Sequence, residues 1–423
     1  MTQHGHPRSG RTATVNRRTA LKIGAGVAAG AALGFPNIVK AQSDKIRIGH
    51  LTPMTGFLGA LGEWAVHGIR MAADEINAAG GVIGRQLEVI SEDSINPETA
   101  TTKAQRMLER DGAALLMGEI SSASALAISQ VAARNKRLFM ALGPRSDTLR
   151  GKSCNRYMFC TDIPNTVMVN AVGNALLRDN MVKGKKFHTL TADYVFGHDL
   201  LRAAKAFFDA NGATLSGDEL VPTNATDFGP YLLKIRQAKP DVVCLNLAGN
   251  QVTNFVKQYA EFGLPYPTVG FNLNTADAWA AGKGNLSGTW PTVWYHTLDT
   301  PGSKAFVEAF LKKHGKPPEN HAWIEYIALK LVARAIQETK STDTETLVAH
   351  FEKGAEFDIL KARKAYFRAW DHQLVQEAYP FTVKAEGTAK DQWDLMELGA
   401  AVPGDSQQLE VIYPTKEQNP CSL

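Results

Sequence analysis

Cysteine is scarce, four in 423 residues, which excludes a small fold stapled by a dense disulfide framework. Charge of one sign is lacking as well, with 46 basic residues against 42 acidic ones. Residues 1–41 hold six of the basic residues and no acid. The remaining 382 residues therefore carry −2 rather than +4, and no basic surface for nucleic acid is expected. Long apolar runs are missing: Ile23–Phe35 is too short and too rich in Gly and Ala to span a bilayer permanently. Catalytic signatures are missing too. There is no Gly-x-Ser-x-Gly, no His-Glu-x-x-His and no P-loop, and the eleven histidines form no metal-ligand spacing. His50, His67 and His198 read as structural or solvated. The expectation is a protein that is not an enzyme and holds no cofactor or metal.

What is present begins with Asn16-Arg17-Arg18-Thr19-Ala20-Leu21-Lys22, the paired arginines of a twin-arginine export signal, with small residues at Val39-Lys40-Ala41 for cleavage. Residues 1–41 are read as a signal peptide cleaved near Ala41, which directs the mature chain to the periplasm. Gly24-Ala25-Gly26-Val27-Ala28-Ala29 fits the dinucleotide-binding pattern, but it follows no strand and opens no βαβ unit, so it carries no such function. In an oxidising compartment Cys154 and Cys160, six residues apart, are the pair expected to close a small loop, the alternative being two free thiols. Cys244 falls in a buried strand and Cys421 in the tail.

From Lys45 onward apolar runs of strand length alternate with helix-period segments, the pattern of a doubly wound parallel sheet. Strands are expected at 46–51, 87–90, 114–118 and 138–141, with helices near 64–76 and 98–110 between them. The loop Thr52–Gly62 carries three glycines that permit a close backbone approach. The pattern restarts near Tyr157–Pro164: helix 165–178, strand 187–191, loop 193–197, helix 199–210, strand 214–221, helix 228–238, strand 241–247, helix 251–262. Two lobes of this kind fit the length. Later come strand 289–295, helices 303–314 and 322–339, and two strands, 366–370 and 379–383, paired about Asp371-His372-Gln373. In the third βα unit, Ala114–Ser129, the serines Ser121 and Ser122 stand where a helix takes its N-cap. Backbone N–H groups at such a positive helix end suit a small anion, and the plainer alternative is a cap and nothing more.

Met54-Thr55-Gly56 after the first strand, the run Asp74-Glu75-Ile76-Asn77-Ala78-Ala79-Gly80-Gly81-Val82-Ile83-Gly84-Arg85, Glu92-Asp93, Thr226-Asp227-Phe228 and Lys239-Pro240-Asp241-Val242-Val243 together resemble the branched-chain amino acid and amide-type periplasmic binding proteins. The likeness runs from about Ile46 to Ala400. It implies an α/β fold of two doubly wound parallel-sheet lobes joined by a multi-crossover hinge, a Venus flytrap that closes on a ligand. The boundaries it implies are 42–161 plus 296–363 for lobe 1, 162–295 plus 364–400 for lobe 2, and 401–423 as a tail. It also implies a monomer that delivers its ligand to the permease subunits of an ABC importer in the inner membrane. A sensor of the same fold, signalling to a partner, is the competing function.

The resemblance places Ser121 and Ser122 where the family holds a ligand carboxylate. Gly143, Pro144 and Ser146 match the next first-lobe loop, with Arg145 among them as either a solvated side chain or a carboxylate clamp. Leu61 stands against the ligand side chain. Phe196 occupies a position where many members have Tyr, with Tyr194 as a substitute for the missing hydroxyl. Gly249, Asn250 and Asn272 complete the opposite wall. Asn272 stands near where amino acid binders carry the acid that pairs with the ligand ammonium, and Asp277 is placed inside the following helix. The expected ligand is a branched-chain or aromatic amino acid, or a related carboxylate or amide.

Overall fold

The computed structural model describes residues 45–423 apart from residue 386. The signal peptide expected at 1–41, with its expected cleavage near Ala41, lies outside the described residues. Two parallel sheets organise the chain. The first has the order β2-β1-β3-β4-β5, from β1 (Ile46–Thr52), β2 (Leu87–Asp93), β3 (Leu115–Gly118), β4 (Phe139–Ala141) and β5 (Met158–Cys160). The second has the order β7-β6-β8-β9, from β6 (Lys186–Ala192), β7 (Thr214–Val221), β8 (Val242–Asn246) and β9 (Thr268–Gly270). The inner strands β3, β4 and β8 are buried along their whole length, whereas the edge strands β2 and β7 are largely half-exposed. That is the burial expected of parallel sheets covered by helices on both faces.

Helices α1 (Gly59–Ala78), α2 (Pro97–Glu109), α3 (Ser122–Arg134) and the short α4 (Asp147–Arg150) connect the first sheet. α5 (Asn165–Arg178), α6 (Val195–Ala210), α7 (Gly229–Ala238), α8 (Asn250–Phe262) and α9 (Thr275–Ala281) belong to the second series. The chain then runs through β10 (Thr289–Thr292), α10 (Pro301–His314), α11 (Asn320–Thr339) and α12 (Thr344–Glu352). α11 returns to the first sheet's helix α1. Gly68 permits this crossing, because a Cβ there would lie 2.1 Å from the carbonyl oxygen of Ala322. Among the described residues no helix is long and apolar enough to cross a membrane.

Three local expectations are corrected. The glycine loop after β1 is shorter than the sequence suggests, since α1 already begins at Gly59. Gly62 serves its own chain, its Cα facing the carbonyl of Pro53 so closely that a Cβ would lie 1.7 Å away. Next, the two C-terminal strands do not pair with each other. β11 (Tyr366–Phe367) forms a hairpin with β12 (Leu374–Val375), while β13 (Tyr379–Val383) lies between β10 and β14 (Met396–Leu398). The apolar run 366–370 is cut short because Arg368 and Asp371 form an ion pair inside the turn. Finally, Cys154 does not bond to Cys160. Cys160 ends β5 with its thiol buried in the core, and Cys154 is joined to Cys421, 267 residues away, with Cα atoms 5.7 Å apart. The tail reaches it by ordered contacts: Tyr413 Oη donates to Gln376 O (2.8 Å) and accepts from Gln376 N (3.0 Å), and Arg368 Nη1 donates to Pro414 O at 3.0 Å.

Candidate functional site

Strand order reverses between β1 and β3 in the first sheet and between β6 and β8 in the second. In open α/β sheets the crevice at such a reversal, beyond the carboxyl ends of the strands, is where ligands bind. The loops after these four strands all reach one narrow cavity of about 20 Å³, the room of about one water molecule. Leu58, Leu61 and Ile120 face it from the first sheet's side, and Tyr194, Phe196 and Ala248 from the second's. Its polar wall is Gly143, Arg145, Asn272, Asn274 and His321. The two sides touch around it. Phe57 meets Tyr194 edge-on at 5.6 Å, Trp64 meets Trp279 at 5.6 Å, and a Cβ on Gly249 would strike the carbonyl oxygen of Phe57 at 2.1 Å. Gly249 also holds a φ of +54°, so glycine is required twice over. The lobes are closed on each other in this structure.

Arg145 is the centre of the polar wall and is not solvated, being only 4% exposed. Its Nε donates to Asp162 Oδ2 at 2.8 Å, just beyond the end of β5. Its Nη1 donates across the cleft to Asn272 Oδ1 (2.6 Å) and Asn274 Oδ1 (3.1 Å). Asn320, with its amide oxygen turned toward the guanidinium, accepts from Nη2 at 3.3 Å. The asparagines are fixed in turn: Asn272 Nδ2 donates to Leu247 O at 3.0 Å, and Asn274 Nδ2 to Asp277 Oδ2 at 3.1 Å. Asp277 lies in α9, as expected from sequence. Burial raises its carboxyl to about 7, opposed by the Asn274 hydrogen bond and reinforced by the neighbouring Glu319. Burial also pushes up the Tyr194 phenol, as does Glu119.

Ser121 is the N-cap of α3, its Oγ accepting from Ser124 N at 3.4 Å. Two backbone N–H groups just before the helix are already engaged: Glu119 Oε1 accepts from Ile120 N (3.0 Å) and Ser121 N (2.8 Å). Glu119 is fully buried with a φ of +71°, and burial raises its carboxyl to about 7 despite those bonds. Ser122 Oγ accepts from Ser146 N at 3.2 Å, which leaves its hydrogen free to donate. Ser146 Oγ is bonded to Asp199 of α6, whose carboxylate also accepts from Thr148 N at 2.9 Å. Although burial acts to raise it, these bonds hold the Asp199 carboxyl below its usual range.

Of the residues singled out by sequence, the cavity brings together Leu61, Gly143, Arg145, Tyr194, Phe196 and Asn272. Ser121, Ser122, Pro144, Ser146 and Gly249 stand behind or beside the lining, and Asn250 is exposed at the start of α8. Sequence reading passed over Leu58, Ile120, Asn274 and His321. Asn274 carried a signal, being two residues from Asn272 in extended chain and so sharing its face. His321 carried a weaker one in Glu319-Asn320-His321 directly after Pro317-Pro318. Among the described residues no group of three or more His, Cys, Asp or Glu is placed to hold a metal ion.

Comparison with known proteins agrees with this fold. The family model described as periplasmic binding protein matches residues 45–389. The Leu/Ile/Val-binding protein homolog 8 of Brucella suis is 27% identical over 353 residues, covering 79% of this chain and 85% of the relative. A crystal structure of a periplasmic binding protein from Burkholderia mallei superposes with a TM-score of 0.82 at 27% identity, over 90% of this chain and 99% of its own. An amino acid ABC transporter substrate-binding protein from Pseudomonas fluorescens does so with a TM-score of 0.80 at 25% identity, again over 90% and 99%.

Proposed function

We propose, from the premise that this chain belongs to the periplasmic binding protein family, that it is the exported receptor of an ABC importer. It closes two lobes, 42–161 plus 296–363 and 162–295 plus 364–400, on one small organic acid: a branched-chain or aromatic amino acid or a related carboxylate or amide. The observation that carries this is the single cavity walled by the switch-point loops of both sheets. At about 20 Å³ it is nearly filled by its own lining, against roughly 300 to 1,000 Å³ for occupied ligand clefts, so a ligand enters only when the two lobes part. Leu58, Leu61, Ile120, Phe196 and Ala248 provide an apolar lining for the body of the ligand. Arg145 Nη2 is the donor in the lining available to a carboxylate, with the Ser122 hydroxyl behind it.

The relatives support the same direction. The one from Pseudomonas fluorescens is an amino acid ABC transporter's substrate-binding protein, and the one from Brucella suis is named for leucine, isoleucine and valine. Polar groups of the wall are bonded to each other across the cleft rather than aligned as nucleophile and base, which favours holding a ligand over transforming it.

A thermal-shift screen of the mature protein against amino acids, aromatic acids, short fatty acids and amides tests the reading. A ligand present at a hundred times its Kd stabilises the folded protein by about 2.7 kcal/mol. For a chain of this length that raises the melting temperature by about 3 °C, and the ligand is expected to be recovered unchanged. A panel in which no compound moves the transition, or a hit that is consumed, overturns the proposal.

A further inference from the structure

We propose that His321 selects the ligand, its Nε2 accepting a hydrogen bond from an ammonium group that the ligand carries beside its carboxylate. The inference rests on the receptor reading above and narrows its ligand class to α-amino acids. Glu319 is the N-cap of α11, and its Oε2 accepts both from His321 N at 2.6 Å and from the His321 ring at Nδ1, 3.0 Å away. The carboxylate at Nδ1 takes up the N–H of that nitrogen, and in the neutral ring this leaves Nε2 as the acceptor. That nitrogen points to the cavity beside Gly143, where a Cβ would lie 3.2 Å from it. No hydrogen-bond partner among the described residues reaches it.

The asparagine oxygens of the wall are already engaged. Asn272 Oδ1 and Asn274 Oδ1 both receive Arg145 Nη1. His321 thus presents an open acceptor where the sequence has no acid at 272. Asp162 and Glu319 lie on this wall with the guanidiniums of Arg145 and Arg150 set against them. An ammonium supplies the donor that Nε2 lacks, whereas a carboxylate supplies none.

Calorimetry with matched pairs reads this out: L-leucine against 4-methylpentanoate, and L-phenylalanine against 3-phenylpropanoate, which differ only by the amino group. Wild type is expected to bind one amino acid at least tenfold tighter than its deaminated partner. His321→Leu should weaken that amino acid by about 10- to 100-fold, the loss of one hydrogen bond to a charged group, and change the deaminated acid less than about twofold. His321→Gln, which keeps an acceptor, should restore most of the affinity, and both variants should keep the wild-type melting curve without ligand to within a few degrees. Equal weakening of both members of a pair, an unchanged amino acid affinity in His321→Leu, or a wild-type preference for the deaminated acid overturns the inference. If wild type binds neither pair but responds to another compound of the thermal-shift panel, His321 selection is refuted while the receptor reading stands. Response to nothing refutes both.

Discussion

Arg145→Ala is expected to lower stability by roughly 3–5 kcal/mol, the cost of leaving a buried charge without its partner, and to weaken ligand binding by two orders of magnitude or more. Asp162, 1% exposed, would lose the guanidinium that pairs with it at 2.8 Å. Asn272 and Asn274 would at the same time lose the donor that links them to the other lobe. The two consequences are separable. Adding Asp162→Asn to Arg145→Ala removes the unpaired charge and should recover a large part of the stability, as expected when both partners of a buried pair are replaced. It should recover none of the affinity, because neither the cross-lobe bonds nor the Nη2 donor returns. Urea unfolding and calorimetry on the single and double variants check this. A double variant that regains binding would show that Arg145 only balances Asp162.

The second large effect concerns the tail. Cys421→Ser is expected to cost about 2–5 kcal/mol, near the upper end of the usual range for a disulfide because the bond closes most of the chain. The loop between Cys154 and Cys421 spans 267 residues, and in the chain-entropy model the restriction of the unfolded state grows with loop length. Denaturant midpoints of the oxidised protein, the reduced protein and the variant should show the last two together and below the first. The loss should not extend to ligand affinity, since the bond lies outside the cavity lining. Identical midpoints for oxidised and reduced protein would contradict this.

The disulfide also shows where sequence reasoning stops. Cys154 and Cys160 are neighbours along the chain, and an exported protein makes a short loop between them reasonable. Nothing local records that Cys160 is committed to the end of β5, or that residues 402–421 fold back past Arg368 and Gln376 to Cys154. Alternating apolar runs, by contrast, are local, and they gave the α/β class and helix 165–178 and strand 214–221 to the residue. The cavity was legible where it is made of loops directly after strands, as with Tyr194 and Gly143. It was hidden where a residue arrives from a distant segment. His321 enters from α11, held there by the contact of α1 with α11 at Gly68. Arg145 was visible as a cation beside the first-lobe loop, but its burial depends on Asp162, 17 residues on, and on asparagines from the other lobe.

The account centres on two lobes that meet through Arg145, Phe57–Tyr194 and Trp64–Trp279 and enclose one small ligand. Small-angle X-ray scattering of the mature protein, with and without a saturating ligand from the thermal-shift screen, tests it most directly. The expected result is a smaller radius of gyration with ligand, and a ligand-bound curve that matches the closed structure. A ligand that binds while the scattering stays that of the free protein, or a bound curve that requires separated lobes, would contradict it.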